Sequence, residues 1–535
     1  MRVGPFLAAP ALYLDEAMLA LNLILRDAIG LIHPLDLEQS ASVIYLWLSK
    51  AALVAGGVNE WMLRLVPILS GLLLPWVVWL FARRLLPPRP ALLATALAAL
   101  SPLAVWYANV AKPYAVDALV ATLLLLAALR ARESDRKPAW IVLSLGALIA
   151  PFLSAPTIFV LAGVLVALLP ARSMWAGQLS IRYLVLAACA AIGSVGNFLF
   201  FQRGVGGEAY LLRFYDRAFP WPPDASLPGR VSRLVSDFTQ FFFYGRGADI
   251  PAVILIATLA VAGLGVWSLH RRFGWWWTGL CLTPALAMAG AAILRKYPPV
   301  ERLLLFLTPL LVVITAAGVD FLVERLVRRR RSLGFAVVAC AVLLVPAVTD
   351  VRNVLRPHGE GAEVRPMIAA YTAGREPGDP VYVYARAVPI WAFYTTDWSR
   401  PDLVRLNELK SLAIRIGPNS GNSPSREHPV QHEGFDLVVP SGDHQELVGT
   451  ASGIEILYGR VGRREPDPGW ADNEVERMRE AGGAHIWVML THHSTAVESD
   501  LEAAISRAGG KIEGDLRSWA ARLWRVSFRR AAIPG

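Results

Sequence analysis

WMLRLVPILSGLLLPWVVWLFA, residues 61–82, is the stretch whose reading decides the fold. It carries one charge, Arg64, in a run of the length that a bilayer requires, and Arg83 and Arg84 follow at once. Further apolar runs lie at 90–108, 113–130, 139–150, 155–170, 181–201, 250–269, 275–294, 303–323 and 333–348. These predict about ten spans, with 139–150 and 155–170 as a short, broken or re-entrant pair punctuated by Pro151 and Pro156.

The composition agrees. The 535 residues are 55% hydrophobic and 18% charged, with mean hydropathy +0.45, against about 25% charged in soluble domains. The net charge of +10 comes from Arg clusters in short loops between apolar runs, the membrane pattern, and no nucleic-acid partner is expected. Cys189, Cys281 and Cys340 lie within apolar segments and form no CxxC.

Positive charge predicts sidedness. Arg83, Arg84 and Arg89 share one loop; Arg130, Arg132, Arg136 and Lys137 another; Arg172 and Arg182, Arg271 and Arg272, and Arg325 with Arg328 to Arg331 follow. All alternate correctly if cytoplasmic. The segment before 61, the turn near Lys112, the loop 202–248, the turn 295–302 and everything after 348 are then extracytoplasmic. Loop 202–248 nonetheless carries Arg203, Arg213, Arg217, Arg230, Arg233 and Arg246. It reads either as an ordinary solvated loop or as a basic surface for an anionic, phosphate-bearing lipid.

Residues 17–31 and 39–55 read as helices lying along or dipping into the outer face, because counting 39–55 as a span would invert every later loop. The chain is expected to lack a first span, and no signal peptide is read. From residue 349 the character changes. VYVYA (381–385), AHIWVML (484–490) and WAARLWRVSF (519–528) read as strands, and 472–481 and 498–508 as helices. The expected organisation is a transmembrane domain, 1–348, and a small extracytoplasmic α/β domain, 349–535. His492 and His493 have no partners at metal-ligand spacing and read as a surface loop.

The ionisable residues on the outer side form a set: Asp15 and Glu16 in YLDEA, Glu38, Lys112, Asp117, Lys296, Glu301 and Arg302. Each alone could be an interfacial anchor. Together, carboxylates that accept a proton or hold a divalent cation stand with cations that neutralise a phosphate, which suits a lipid-phosphate-linked donor.

The order of the segments resembles the GT-C superfamily of polyprenyl-phosphate-sugar-dependent glycosyltransferases. It is most similar to bacterial protein O-mannosyltransferase-like enzymes, including aminoarabinose transferases and rhizobial lipopolysaccharide-core transferases. The pieces are YLDEA (13–17), LEQSASVIYLWL (37–48), GGVNEWMLRLVPILSGLL (56–73), SPLAVWYANVAKPYAVDAL (101–119), ERLLLFLTPLLVVITAAGVDFL (301–322) and, outside the spans, PGDPVYVY (377–384).

The resemblance implies sugar transfer at the outer face of a bacterial inner membrane, from a polyprenyl-phosphate donor to an envelope acceptor, by inverting displacement. Asp15 would act as general base or orient the acceptor, with Glu16 supporting it. Glu38 falls where relatives carry Glu-Lys, although Gln39 follows here; Asp117 matches a later outer-face aspartate; Arg302, with Lys296, would grip the lipid phosphate, and Lys112 is counted with them as substrate-binding. A divalent cation at Asp15, Glu16 and Asp117 is left open. EQSAS stands where relatives carry Gln/His-Pro-Pro, which bears on the substrate class. The alternatives are a lipid-linked-sugar transporter or flippase, and a non-catalytic envelope scaffold.

Overall fold

The computed structural model describes residues 2–35, 37, 39–134, 136–169, 178–202, 215, 219, 252–327, 363–395, 398, 456–458, 469–481, 484–518 and 521–528. The chain divides into two compact units. The first comprises 1–8, 41–204 and 211–357; the second comprises 9–40, 205–210 and 358–535. The 348/349 limit and the expected span 333–348 lie outside the described residues.

The first unit is helical. It contains α1 (Val3–Ala8) and, after α2 (Leu14–Leu25) of the second unit, α3 (Val43–Gly56), α4 (Glu60–Ala82), α5 (Pro88–Leu100), α6 (Pro102–Trp106), α7 (Tyr114–Glu133), α8 (Lys137–Leu153), α9 (Thr157–Leu168), α10 (Gln178–Asn197), α11 (Ala252–Phe273), α12 (Trp275–Ile293) and α13 (Thr308–Val327). Among the described residues five helical stretches are long and apolar enough to cross a membrane: Glu60–Ala82, Tyr114–Glu133, Ser180–Phe200, Trp275–Ile293 and Glu301–Arg325. A sixth arises if the pair Pro88–Leu100 and Pro102–Asn109, bent by 55°, is one span.

The sequence explains the boundaries. Asn59 caps α4, its side-chain oxygen accepting the Met62 N–H at 3.0 Å. Pro67 and Pro75 lie inside α4, as membrane helices tolerate. Leu69, Leu72, Leu73 and Trp76 leave an apolar face of α4 exposed, as lipid contact requires. The expected break between 150 and 155 falls at Ser154–Pro156, with Pro151 still inside α8. Gly265 of α11 and Gly318 of α13 each lie against backbone of the other helix, where a Cβ would collide. Small residues at a crossing let membrane helices approach closely.

The Arg-rich loops meet at one end of this unit. Arg84 pairs with Glu133, Arg272 donates to the Leu85 carbonyl at 3.3 Å, and the Arg132 guanidinium lies 4.6 Å from the centre of the Trp276 ring. Loops that the charge pattern assigns to one side of a membrane are thus neighbours in space.

The second unit holds a five-stranded sheet: β1 (Val381–Val383), β2 (Ile456–Tyr458), β3 (Ile486–Thr491), β4 (Gly510–Ser518) and β5 (Ala521–Phe528), in the order β2-β1-β3-β5-β4. β1 runs parallel to β2 and β3, while β5 runs antiparallel to β3 and β4. Helices α14 (Arg365–Gly374), α15 (Val388–Thr395), α16 (Trp470–Glu480) and α17 (Thr495–Arg507) accompany it. Every residue of β3 is buried, so IWVMLT reads as one apolar run. β4, GKIEGDLRS, is an edge strand with a register shift between Ile512 and Gly514. Its polarity is what an exposed edge needs, and it is why the sequence reading passed over it.

α2 belongs to this second unit. Ala9–Ser40, at the start of the chain, packs with the α/β sheet region.

Candidate active site

In the second unit, Asp15 and Glu16 occupy the first turn of α2. The entry strand is fixed from the C-terminal side. The Leu12 N–H donates to the Tyr394 hydroxyl at 2.9 Å. Arg365 donates to the Ala9 carbonyl at 3.0 Å and forms an ion pair with Glu363 at 2.6 Å. Burial opposes the charge on Glu363, but Arg365 and the Ala11 N–H outweigh it and hold its pKa below the ordinary value.

Glu16 is buried, and its Oε2 accepts the Tyr13 N–H at 2.9 Å. That bond satisfies a donor at the helix start, so this carboxylate organises the backbone that presents Asp15. After α2, Arg26 donates to the carbonyls of Gly30 at 3.0 Å and Pro34 at 2.8 Å, fixing the return of the chain. Gln39 donates to the Leu37 carbonyl at 3.0 Å. Glu38 lies outside the described residues.

His492 stands beside this turn. Its ring meets that of Tyr13 edge to face, centroids 4.7 Å apart. Burial drives its pKa down to about 4, with Arg386 and His493 adding to the effect and the Asp15 carboxylate opposing it. The imidazole is therefore neutral at physiological pH. His493 turns elsewhere, its Nε2 lying 3.1 Å from Glu498. The expectation of a surface loop for the two histidines is corrected: both are half-buried, because the start of the chain covers the turn after β3.

In the first unit, Lys112 and Asp117 are both buried. Asp117 lies in the first turn of α7 and approaches Ser154 of the α8–α9 turn. The same turn is tied to the start of α3, where the Ser42 hydroxyl accepts the Ala155 N–H at 3.1 Å. Tyr297 stands near Asp117, Tyr114 and Tyr215. Arg302 donates to the Tyr215 hydroxyl at 2.7 Å, and Arg295 lies 5.3 Å from the Phe219 ring centre. Beyond Gln202, Tyr215 and Phe219 are the described residues of loop 202–248, and both meet cations of the turn 295–302; the loop's own arginines lie outside the described residues. Lys296 is exposed.

The predicted residues thus fall into two groups, Asp15 with Glu16 in one unit and Lys112, Asp117, Lys296 and Arg302 in the other. Tyr13, His492, Ser154, Tyr215 and Tyr297 join them only through the fold. Among the described residues no three His, Cys, Asp or Glu side chains are arranged to hold a metal ion.

The family model of dolichyl-phosphate-mannose-protein mannosyltransferases matches residues 40–196. The matched stretch contains Lys112, Asp117 and Ser154, and three of the segments that carry the resemblance begin or end within it.

Among solved structures, the chain is similar to ArnT from Cupriavidus metallidurans in the apo state, with 13% identity over 98% of this chain and 96% of that one and a TM-score of 0.49. For the same protein bound to undecaprenyl phosphate, the identity is 16%, with the same coverage and TM-score. The Archaeoglobus fulgidus oligosaccharyltransferase in the apo form gives 14% identity over 65% of this chain and 55% of that one, with a TM-score of 0.39. No curated protein matches.

Proposed function

We propose that this protein is an integral-membrane glycosyltransferase that moves a sugar from a polyprenyl-phosphate donor to an envelope acceptor, a glycolipid, polysaccharide or protein. The observation that carries the reading is the mannosyltransferase family match over residues 40–196, in a helical unit that keeps Lys112 and Asp117 buried. Ionisable groups held inside a membrane protein are costly and generally functional.

Asp15 is assigned as the base that takes the proton of the acceptor hydroxyl or amine, which attacks the anomeric carbon. The bond from that carbon to the phosphate oxygen breaks, and polyprenyl phosphate leaves. Arg302, with Lys296, is assigned to the phosphate, where a guanidinium can offer paired donors. A phosphate leaving group needs no strong general acid, so the carboxylate spacing of glycoside hydrolases does not apply.

The reaction is assigned to the extracytoplasmic face of a bacterial inner membrane, with residues 349–535 on that side. The spatial gathering of the Arg-rich loops supports the sidedness. Purified protein incubated with a panel of undecaprenyl-phosphate sugars should release undecaprenyl phosphate. Movement of the labelled lipid across a vesicle bilayer without such release would favour a flippase instead.

A further inference from the structure

The Tyr13–His492 contact leaves a polar group unexplained. Nδ1 and Nε2 of His492 are both sealed from solvent, and neither has a hydrogen-bond partner among the described residues. A neutral imidazole carries one donor and one acceptor, and burying both unpaired is unfavourable. The backbone is also unusual: His492 has φ 51°, in the left-handed region. Such a conformation persists at a non-glycine residue only when the surroundings impose it. Here Arg386 donates to the His492 carbonyl at 3.3 Å and Tyr13 covers the ring. The charged and titratable groups acting on the ring are Asp15, Arg386 and His493.

The geometry points to His492 as a sugar-hydroxyl-binding residue beside Asp15: one ring nitrogen donates to, and the other accepts from, hydroxyl groups of the substrate. The role rests on the glycosyltransferase reading for its substrate class. The neutral state of the ring suits it, since only neutral imidazole offers both functions. The hydroxyls belong either to the donor sugar or to a carbohydrate acceptor.

The test uses the full chain in nanodiscs. His492→Phe keeps a ring against Tyr13 and removes both nitrogens. His492→Gly suits the left-handed backbone and removes them too. His492→Asn tolerates that backbone and retains a donor and an acceptor. Binding is measured for undecaprenyl phosphate, for undecaprenyl-phosphate mannose, glucose and galactose, and for the methyl glycosides of the same hexoses. The folded Phe and Gly variants should bind a sugar-bearing probe about tenfold more weakly, with plain undecaprenyl phosphate unchanged and the Asn variant closer to wild type. Weakening confined to the lipid-linked hexoses assigns the donor sugar; weakening confined to the methyl glycosides assigns the acceptor.

The inference is overturned if either folded variant lacking the nitrogens binds every sugar probe as wild type does, if plain undecaprenyl phosphate weakens equally, or if Asn is as weak as Phe and Gly. Wild type that binds no sugar probe overturns it as well. Wild type that binds methyl hexosides through His492 but no polyprenyl-phosphate hexose would sink the glycosyltransferase reading and leave this role standing.

Discussion

Leu12 donates its backbone N–H to the hydroxyl of Tyr394 at 2.9 Å, joining the entry to the Asp15 turn to a helix 382 residues further along the sequence. With the Ala9–Arg365 and Tyr13–His492 contacts, it makes the C-terminal α/β unit the support of the proposed base. Tyr394→Phe deletes that bond and leaves the buried Leu12 N–H unpaired. A loss of about 1 kcal/mol of stability is expected, read as a lower unfolding temperature, together with reduced sugar transfer.

Glu363 gives this support a pH dependence. Its folded pKa is depressed below the ordinary 4.5, so the native state binds fewer protons there than the unfolded chain. The stabilisation is fully present above pH 4.5 and is lost as pH falls through the folded value. Thermal unfolding of Glu363→Gln should show a smaller drop below pH 4.5 than wild type.

His492 acts in a higher window. Its pKa falls from 6.5 to about 4 on folding, so the unfolded chain takes the proton first. Stability contributed by the neutral ring is full above pH 6.5 and declines progressively from there to about pH 4. In His492→Phe the unfolding temperature should vary less across that range, and an unaltered slope would argue against a buried neutral ring.

Much of this was legible in the sequence, for a physical reason. A membrane helix must be apolar along its length, so WMLRLVPILSGLLLPWVVWLFA declares α4 without reference to anything else, and Arg84 marks its end. The all-buried β3 was legible in the same way. β4 was not, because an exposed edge strand reads as polar loop. His492 was missed because its environment comes from the opposite end of the chain; no local pattern records that Tyr13 covers it. Asp15 and Glu16 look equivalent as neighbours in YLDEA, yet the N–H of Tyr13 binds the Glu16 carboxylate, a distinction that only helix geometry draws.

Arg302 provides a test of the donor side. Its guanidinium is already oriented by the Tyr215 hydroxyl at 2.7 Å. Arg302→Ala should raise the KM for the lipid-linked donor about tenfold or more while changing the acceptor KM little, as loss of a charge-assisted bond implies. Tyr215→Phe should shift the donor KM in the same direction by less. Equal effects on donor and acceptor would count against a phosphate role.

Topology can be read directly. Reporter fusions after residues 85 and 134 should report the same side, since Arg84 and Glu133 pair, and a fusion after residue 348 should report the other.

The central claim is that Asp15 serves sugar transfer from a lipid phosphate. Its most direct test is the release of undecaprenyl phosphate from undecaprenyl-phosphate sugars by purified wild-type and Asp15→Asn protein in nanodiscs. The account predicts release by wild type and loss of at least about a hundredfold, the lower range for a general base, in a variant of unchanged unfolding temperature. Release by Asp15→Asn at the wild-type rate would contradict it.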